Sequence, residues 1–191
     1  MNANDGPNML GAIQQVRRLM TEVSKMLLEG DALMGQSGWE PRVGSTALAG
    51  MAYSIYSPLS WIPFQIFRFY RHPDLPLAIP CISVLLEFLD VKGLMTEPHV
   101  SGLLIEFETE DTMPAGVQLY EVANWHLYVP NRKFDGTPIT VEPRILWPEW
   151  SSAKRMTSFA VPLTSIRDRN ALRDRVISPI TKISRSTQAA K

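Results

Sequence analysis

The chain has 191 residues, of which 45% are hydrophobic and 20% are charged, and its formal net charge is zero. These values are close to those of soluble globular proteins, so they exclude a wholly disordered or fibrous chain. A chain of this length fits a single domain, residues 1–191, that can bury a large core.

The first predicted element is an N-terminal helix over residues 8–29. Its apolar residues recur at spacings of four and three, which places them on one narrow seam: Met9, Ile13, Val16, Met20, Val23 and Leu27. Gly30 is placed to end the helix. The seam needs a partner surface, which is either the protein's own sheet or the same helix of another subunit. Leu10 and Leu19 widen the seam and favour the sheet.

The next stretch combines a loop with the first strands of a sheet. Residues 31–50 are rich in glycine and are predicted to form a flexible loop. Residues 64–71 are rich in aromatic side chains that suit a strand. Residues 77–88 are apolar at nearly every position, which is typical of a central strand covered on both faces. Residues 100–108 place Leu103, Ile105 and Phe107 on one side and Glu106 and Glu108 on the other, so a half-exposed strand is predicted.

A hairpin is predicted in the second half of the sheet. Residues 117–129 place apolar side chains at alternate positions, which indicates one long strand, or two strands joined by a bulge near Glu121. Asp135 is followed by glycine, which is a turn signal. Residues 139–141 can then return and pair with residues 127–129.

The last predicted elements are a crossing segment, a strand and a helix. Residues 142–150 contain two prolines and are predicted to cross the core in an extended conformation, with Ile145 covering it. Residues 157–161 form a short strand. A C-terminal helix follows within residues 162–183: Asp168 lies near its start and Pro179 ends or kinks it. Residues 184–191 are a frayed tail.

These elements predict an α+β fold. A mostly antiparallel sheet of about five to seven strands lies within residues 51–161. The helix at 8–29 covers one face, and the C-terminal helix packs on an edge or on the other face.

The sequence carries little sign of a catalytic or cofactor site. The three histidines lie far apart, and no phosphate-binding loop or serine-hydrolase elbow occurs, so neither a metal nor a cofactor is expected. The single cysteine, Cys81, lies among apolar residues, which favours burial over a nucleophilic role. One cysteine excludes an intramolecular disulfide and favours a reducing compartment. We therefore expect a cytoplasmic protein.

One weak pattern points to a metal-dependent nuclease. Asp74, Asp90 and Lys92 are spaced as in the PD-(D/E)xK pattern, in which acidic groups hold Mg²⁺ and a lysine positions the attacking water. Pro80 interrupts the strand between them, and few basic residues lie nearby to hold a phosphate backbone. Loops with solvated charges explain the pattern better.

Two clusters suggest a nucleic-acid binder as an alternative function. The first combines aromatic and basic side chains that could stack on bases and contact phosphates: Trp61, Arg68, Tyr70 and Arg71. The second lies on the C-terminal helix and includes Arg167, Arg169 and Arg173. Residues 154–191 hold nine basic and two acidic residues, a net charge of +7. Burial in the core explains the first cluster better. Ion pairs with the acidic remainder of the chain or with an acidic partner explain the second cluster better.

The leading functional hypothesis is a non-catalytic protein-interaction or assembly component. It rests on the narrow seam, the segregated charge and the lack of a catalytic set, and self-association is its natural extension. No apolar run approaches the ~18 residues of a membrane-spanning helix, so no membrane partner is expected. A ligand pocket under residues 31–50 remains open, because such pockets need no motif.

Overall fold

The structure is a computed structural model that describes residues 5–50, 65–86, 97–113, 117–124, 133–146 and 152–189. Among these residues, seven strands form an antiparallel sheet: β1 (Glu40–Pro41), β2 (Leu48–Gly50), β3 (Gln65–Arg71), β4 (Ala78–Leu85), β5 (His99–Phe107), β6 (Ile139–Val141) and β7 (Ala153–Pro162). The strand order is β1-β3-β4-β5-β7-β6, and β2 also pairs with β3. The predicted α+β class is confirmed.

The helices of the described residues are α1 (Asp5–Gly35), α2 (Val117–Asn124), α3 (Pro143–Leu146), α4 (Arg169–Leu172) and α5 (Ser178–Ala189). A π-helical turn, Arg173–Ile177, joins α4 to α5, and we call this continuous unit the C-terminal helix. Both α1 and the C-terminal helix cover the same face of the sheet, because their apolar residues share one core. They therefore do not lie on opposite faces.

Each face of the sheet has its own hydrophobic core. The α1 face buries side chains such as Ile66, Ile82, Leu104 and Phe159 against α1 and the C-terminal helix. The opposite face, which we call the α2 face, buries Phe67, Phe69, Cys81, Leu103 and Met156 together with residues of α2. The two cores explain why the central strands are apolar on both sides.

The central strands confirm one prediction and correct another. Every residue of β4 is buried, as the apolar run predicted. Every residue of β5 is buried as well, so the predicted half-exposed strand is wrong. The acidic side chain of Glu106 is buried because Arg155 on β7 pairs with it, with Nη2 donating to Oε1 at 2.8 Å. The ion pair allows a carboxylate to occupy a covered position.

Helix α1 is longer than predicted, and Gly30 does not end it. The helix continues to Gly35. Gly30 is buried where α1 crosses the sheet, and a Cβ there would lie 2.8 Å from Ile82 Cδ1. The missing side chain therefore permits close packing rather than a helix end. The predicted loop at residues 31–50 contains this last turn of α1 and the edge strands β1 and β2.

Residues 117–124 form α2, so the predicted strand over residues 117–129 is wrong in this part. The buried side chains are Leu119, Val122 and Ala123, a spacing of three and four that fits a helix. In a segment this short, the same apolar positions fit both a strand and a helix. Packing on the sheet selects the helix. Residues 125–129 lie outside the described residues.

The predicted turn at Asp135 is confirmed, and the strand after it has a neighbour that was not predicted. Asp135 Oδ1 accepts a hydrogen bond from the Thr137 backbone N–H at 2.9 Å, and Gly136 has a φ of +89°. Strand β6 pairs with β7. The predicted partner, residues 127–129, lies outside the described residues.

The predicted extended crossing at residues 142–150 is wrong in its first half. Residues 143–146 form α3, with a proline at the first position where its fixed φ suits a helix. Ile145 is 74% exposed and does not cover the core. The last four residues of the predicted crossing lie outside the described residues.

The C-terminal helix begins as predicted and ends later. Asp168 caps its start, because Oδ1 accepts a hydrogen bond from the Ala171 N–H at 2.8 Å. Pro179 lies inside the helix. The preceding π turn, in which Ser178 N–H donates to Arg173 O, widens the backbone where the proline ring would otherwise clash. Ser184, in the predicted frayed tail, is fully buried.

Candidate functional site

The N-terminal half of α1 exposes large apolar side chains. Residues 12–18 are all exposed, and the exposed fractions of Leu10, Ile13 and Val16 are 57%, 51% and 37%. These three residues form what we call the exposed stripe. At the usual rise per residue α1 is about 46 Å long, so the exposed half projects from the sheet over several turns.

The exposed stripe continues a seam that is buried further along the same helix. Val23, Leu27, Gly30 and Met34 follow at spacings of four, three and four, and all four are buried in the core that α1 shares with the sheet and the C-terminal helix. Packing of the seam on the protein's own sheet is therefore confirmed for the second half of α1. In the first half of α1 apolar residues continue the seam, but no described residue covers them.

A buried charged network fixes the orientation of α1. Arg68 on β3 donates from Nε to Asp31 Oδ1 at 2.9 Å and from Nη2 to Oδ2 at 2.6 Å. The Tyr70 hydroxyl donates to Asp31 Oδ1 at 3.0 Å, and Arg68 Nη1 donates to Thr46 O at 2.8 Å. This Asp31–Arg68–Tyr70 network ties the second half of α1 to β3.

The network also changes the ionisation of its members. The hydrogen bond from Arg68 to Asp31 raises the pKa of the guanidinium, against the effect of burial. Burial raises the pKa of Tyr70 strongly, and the neighbouring Asp31 carboxylate raises it further. Arg68 therefore remains charged and Tyr70 remains neutral, which suits a structural contact.

Two grooves flank α1 where it meets the body of the protein. The first, of about 380 Å³, lies between α1 and the start of the C-terminal helix, with an apolar floor that includes Leu19, Met26, Ile166 and Leu172. The second, of about 330 Å³, lies between α1 and the β2 edge, where Met20, Ala47 and Ile66 are among its lining. Both grooves border the point where the seam changes from buried to exposed.

The structure separates the residues of the predicted aromatic and basic cluster. Arg68 and Tyr70 are buried on the α1 face, where they bind Asp31. Arg71 lies on the opposite side of β3, is exposed, and pairs with Glu40 at 3.3 Å. Trp61 lies outside the described residues. Two of the four residues are thus unavailable to a ligand on the surface.

The predicted arginines of the last helix are mostly paired. Arg169 Nη1 lies 3.4 Å from Glu29 Oε2 on α1, and Arg173 pairs with its neighbour Asp174 at 2.9 Å. Arg167 is exposed and lines the first groove. These contacts support the interpretation in which the basic side chains form ion pairs with acidic residues of the same chain.

The predicted nuclease residues are only partly described. Asp74 lies in the turn after β3 with 82% of its side chain exposed, and its backbone N–H donates to His72 Nδ1 at 3.1 Å. Asp90 and Lys92 lie outside the described residues, so the set stays a prediction. Among the described residues, no group of three or more His, Cys, Asp or Glu side chains could hold a metal ion.

Sequence reasoning placed Arg175 on the last helix but missed that Lys182 and Arg185 share its outer side. Arg175, Lys182 and Arg185 are exposed, and no ion pair among the described residues includes them. That the three cations lie on one continuous helix was not apparent from the sequence, because Pro179 was expected to end or kink the helix. In a continuous helix, their spacings of seven and three residues place them on one side, and this is the signal in the sequence.

A buried polar cluster on the α2 face was also missed. Gln65, Ser83, Ser101 and His99 come from three adjacent strands, and none is more than 4% exposed. Gln65 Nε2 donates to Ser83 Oγ at 2.6 Å, and Ser83 lies opposite Ser101. The signal in the sequence is one serine in the middle of each of two neighbouring apolar strands.

Comparison with known proteins gives no match to a family, to a curated sequence or to a solved structure. Within the described parts of the chain, no helix is both long and apolar enough to span a membrane.

Proposed function

We propose that this protein is a protein-interaction or assembly component that binds through the exposed half of α1. The observation that supports the proposal is the exposed stripe of Leu10, Ile13 and Val16 on a helix whose continuation is buried. Single exposed apolar residues are normal on protein surfaces, but here three occupy one side of consecutive turns. Burying such a side chain in full contributes roughly 1.5 to 3 kcal/mol, which favours a partner.

The anchoring of α1 strengthens this proposal. The Asp31–Arg68–Tyr70 network and the close approach at Gly30 hold the second half of the helix against the sheet. The stripe is therefore part of a helix that is already ordered before binding. A preformed helix loses less conformational entropy on association than a segment that must fold.

The test is the state of association of the wild-type chain and two matched variants. Ile13→Asp places a charge on the stripe, and Gln15→Asp places the same charge on the opposite side of the same exposed segment. Analytical ultracentrifugation from micromolar to millimolar concentration should show association in the wild type and in Gln15→Asp, and a monomer in Ile13→Asp. A wild-type monomer throughout, with no partner protein whose binding depends on Ile13, would overturn the proposal.

A second candidate function is the binding of nucleic acid along the C-terminal helix. Arg175, Lys182 and Arg185 support it because they are exposed cations without an ion pair to any described residue. A row of exposed cations suits the phosphate groups of a nucleic-acid backbone, and such binding would weaken as the salt concentration rises. Fluorescence anisotropy with DNA and RNA oligonucleotides should lose affinity when all three become Gln. A single change of the paired Arg173 to Gln is the control.

A further inference from the structure

We infer that α1 binds an amphipathic helix of another protein, and that this partner helix carries an acidic residue within its apolar side. The inference rests on the proposed function and names the chemistry of the partner. Three features carry it: a track along one side of α1, a groove that continues the track, and the charge that the track presents.

The track lies on the side of α1 that includes the first two residues of the exposed stripe. An α-helix turns by about 100° per residue, so six positions of α1 fall within an arc of about 80°. We call these residues the binding track: Leu10, Ile13, Arg17, Met20, Ser24 and Leu28. Leu10 is 57% exposed and Leu28 is 65% exposed. The binding track therefore presents open apolar side chains at both of its ends.

The groove between α1 and the β2 edge continues the binding track. Three residues of the track line this groove: Met20, Ser24 and Leu28. Ala47 and Ile66 are apolar residues in the rest of its lining. The two charged residues that line it, Asp31 and Arg68, pair with each other, so they leave no net charge in the groove.

The shape of this surface suits a helix. From Leu10 to Leu28 the binding track is about 27 Å long, which is the length of a five-turn helix. Its second half is concave, with a groove volume of about 330 Å³. A narrow helix can follow the track into the groove, whereas a flat membrane surface cannot. Docking of an amphipathic helix in a groove is a common mode of recognition.

The binding track carries one charge, and this charge is positive. Arg17 lies four residues after Ile13 and three before Met20, so it shares their side of the helix. Arg17 is exposed, and no ion pair among the described residues includes it. The next acidic residue along α1, Glu22, already pairs with Lys25 at 2.8 Å. A carboxylate on the partner would compensate Arg17, whereas an apolar side chain would remove the guanidinium from water without a counter-charge.

The same charge disfavours a contact between two identical surfaces. A two-fold contact uses the same patch on both copies, so it would place Arg17 in the contact twice. Arg18 adds a second positive charge, and residues 8–20 contain no acidic residue. Like charges across a contact reduce affinity. Self-association through the exposed stripe should therefore be weaker than the binding of an acidic partner.

Three synthetic peptides test the inference with the full chain. Each forms a helix of about 21 residues, which is long enough to span the binding track. The peptides have leucine along one side and uncharged residues elsewhere, and they differ only in one central residue of the leucine side, which is Glu, Gln or Lys. Fluorescence anisotropy of the labelled peptides gives their affinities. The wild type should bind the Glu peptide about tenfold more tightly than the Lys peptide.

Three variants locate this preference. Arg17→Glu should reverse the order of the Glu and Lys peptides. Arg18→Glu makes the same change about 100° around the helix and should keep the order. Leu28→Gln should weaken the binding of all three peptides about tenfold, because it removes an apolar contact at the groove. Circular dichroism checks that each variant is folded.

A preference for the Glu peptide that Arg17→Glu reverses and Arg18→Glu keeps supports the inference. Equal binding of the three peptides, equal effects of the two arginine variants, or no effect of Leu28→Gln overturns it. Vesicles of phosphatidylglycerol and sedimentation of the chain alone are measured in parallel. Tighter binding to the vesicles, or to a second copy, than to the Glu peptide also overturns the inference. The proposed function fails on a different result, namely association that Ile13→Asp leaves unchanged.

Discussion

Arg68 and Asp31 form a two-point ion pair between β3 and α1, with donor to acceptor distances of 2.9 and 2.6 Å. The arginine side chain is 6% exposed and the aspartate side chain 19% exposed, so the pair is largely removed from water. Removing one member of such a pair leaves the other charge buried without compensation. The orientation of α1, and with it the exposed stripe, depends on this contact.

The first prediction concerns this ion pair. Asp31→Ala should lower the free energy of unfolding by about 3 to 5 kcal/mol, because Arg68 stays buried and charged. Glu40→Ala is the matched control, since its partner Arg71 is exposed, and it should change stability by less than about 1 kcal/mol. Urea unfolding followed by circular dichroism measures both. Equal losses in the two variants would contradict the role of the network.

The second prediction concerns alkaline pH. Burial and the Asp31 carboxylate raise the pKa of Tyr70 above its ordinary value of 10.0. The unfolded chain releases this proton near pH 10, whereas the folded chain keeps it. The contribution of Tyr70 is therefore complete below about pH 10 and decreases as the pH rises, by up to about 1.4 kcal/mol per pH unit.

Tyr70→Phe should make the free energy of unfolding less dependent on pH in this alkaline range. Unfolding by urea at a series of pH values from about 8 to 12 gives the two slopes. Comparison with the wild type removes the contribution of every other group that titrates there, including Cys81. An unchanged slope would show that Tyr70 ionises in the folded state.

The third prediction compares two glycines of α1. Alanine has a higher helix propensity than glycine by roughly 1 kcal/mol, so Gly11→Ala, with no atom within 4 Å of the added Cβ, should stabilise the protein by up to that amount. Gly30→Ala places its Cβ 2.8 Å from Ile82 Cδ1 and 3.4 Å from the Tyr70 hydroxyl oxygen. It should lower stability by about 1 to 3 kcal/mol. Thermal and urea unfolding would reveal whether the signs differ as expected.

The fourth prediction concerns the start of the C-terminal helix. Asp168→Ala removes the side-chain acceptor of the Ala171 N–H and should reduce stability by about 1 kcal/mol. Asp174→Ala loses only an exposed ion pair with Arg173 and should have a smaller effect. If both changes reduce the urea midpoint equally, the cap contributes nothing specific.

Local patterns in the sequence were sufficient for much of the sheet and for the first helix. The aromatic run at 64–71 and the apolar run at 77–88 became β3 and β4 because their side chains suit covered strands. They were insufficient at residues 117–124, where packing on the α2 face selected a helix. They also missed the burial of Glu106, since its partner Arg155 lies 49 residues away.

In the candidate site, too, sequence patterns predicted one part and missed another. The seam of α1 was visible in the sequence, because its spacing is a property of one helix. Arg68 and Tyr70 were candidates for a binding surface as the alternative to burial, and Asp31 binds both of them inside the protein. A single sequence could not reveal this, because the partner lies on another element and carries no local signal.

The sequence by itself therefore determined the period of each apolar run, and through it the α+β class and the seam. Only the tertiary structure decided which half of that seam is covered, where Gly30 and Pro179 are tolerated, and which charges are buried. The physical reason is that periodicity arises from the geometry of a single element. Burial, close approach and charge pairing depend on which elements meet, and that is a property of the whole fold.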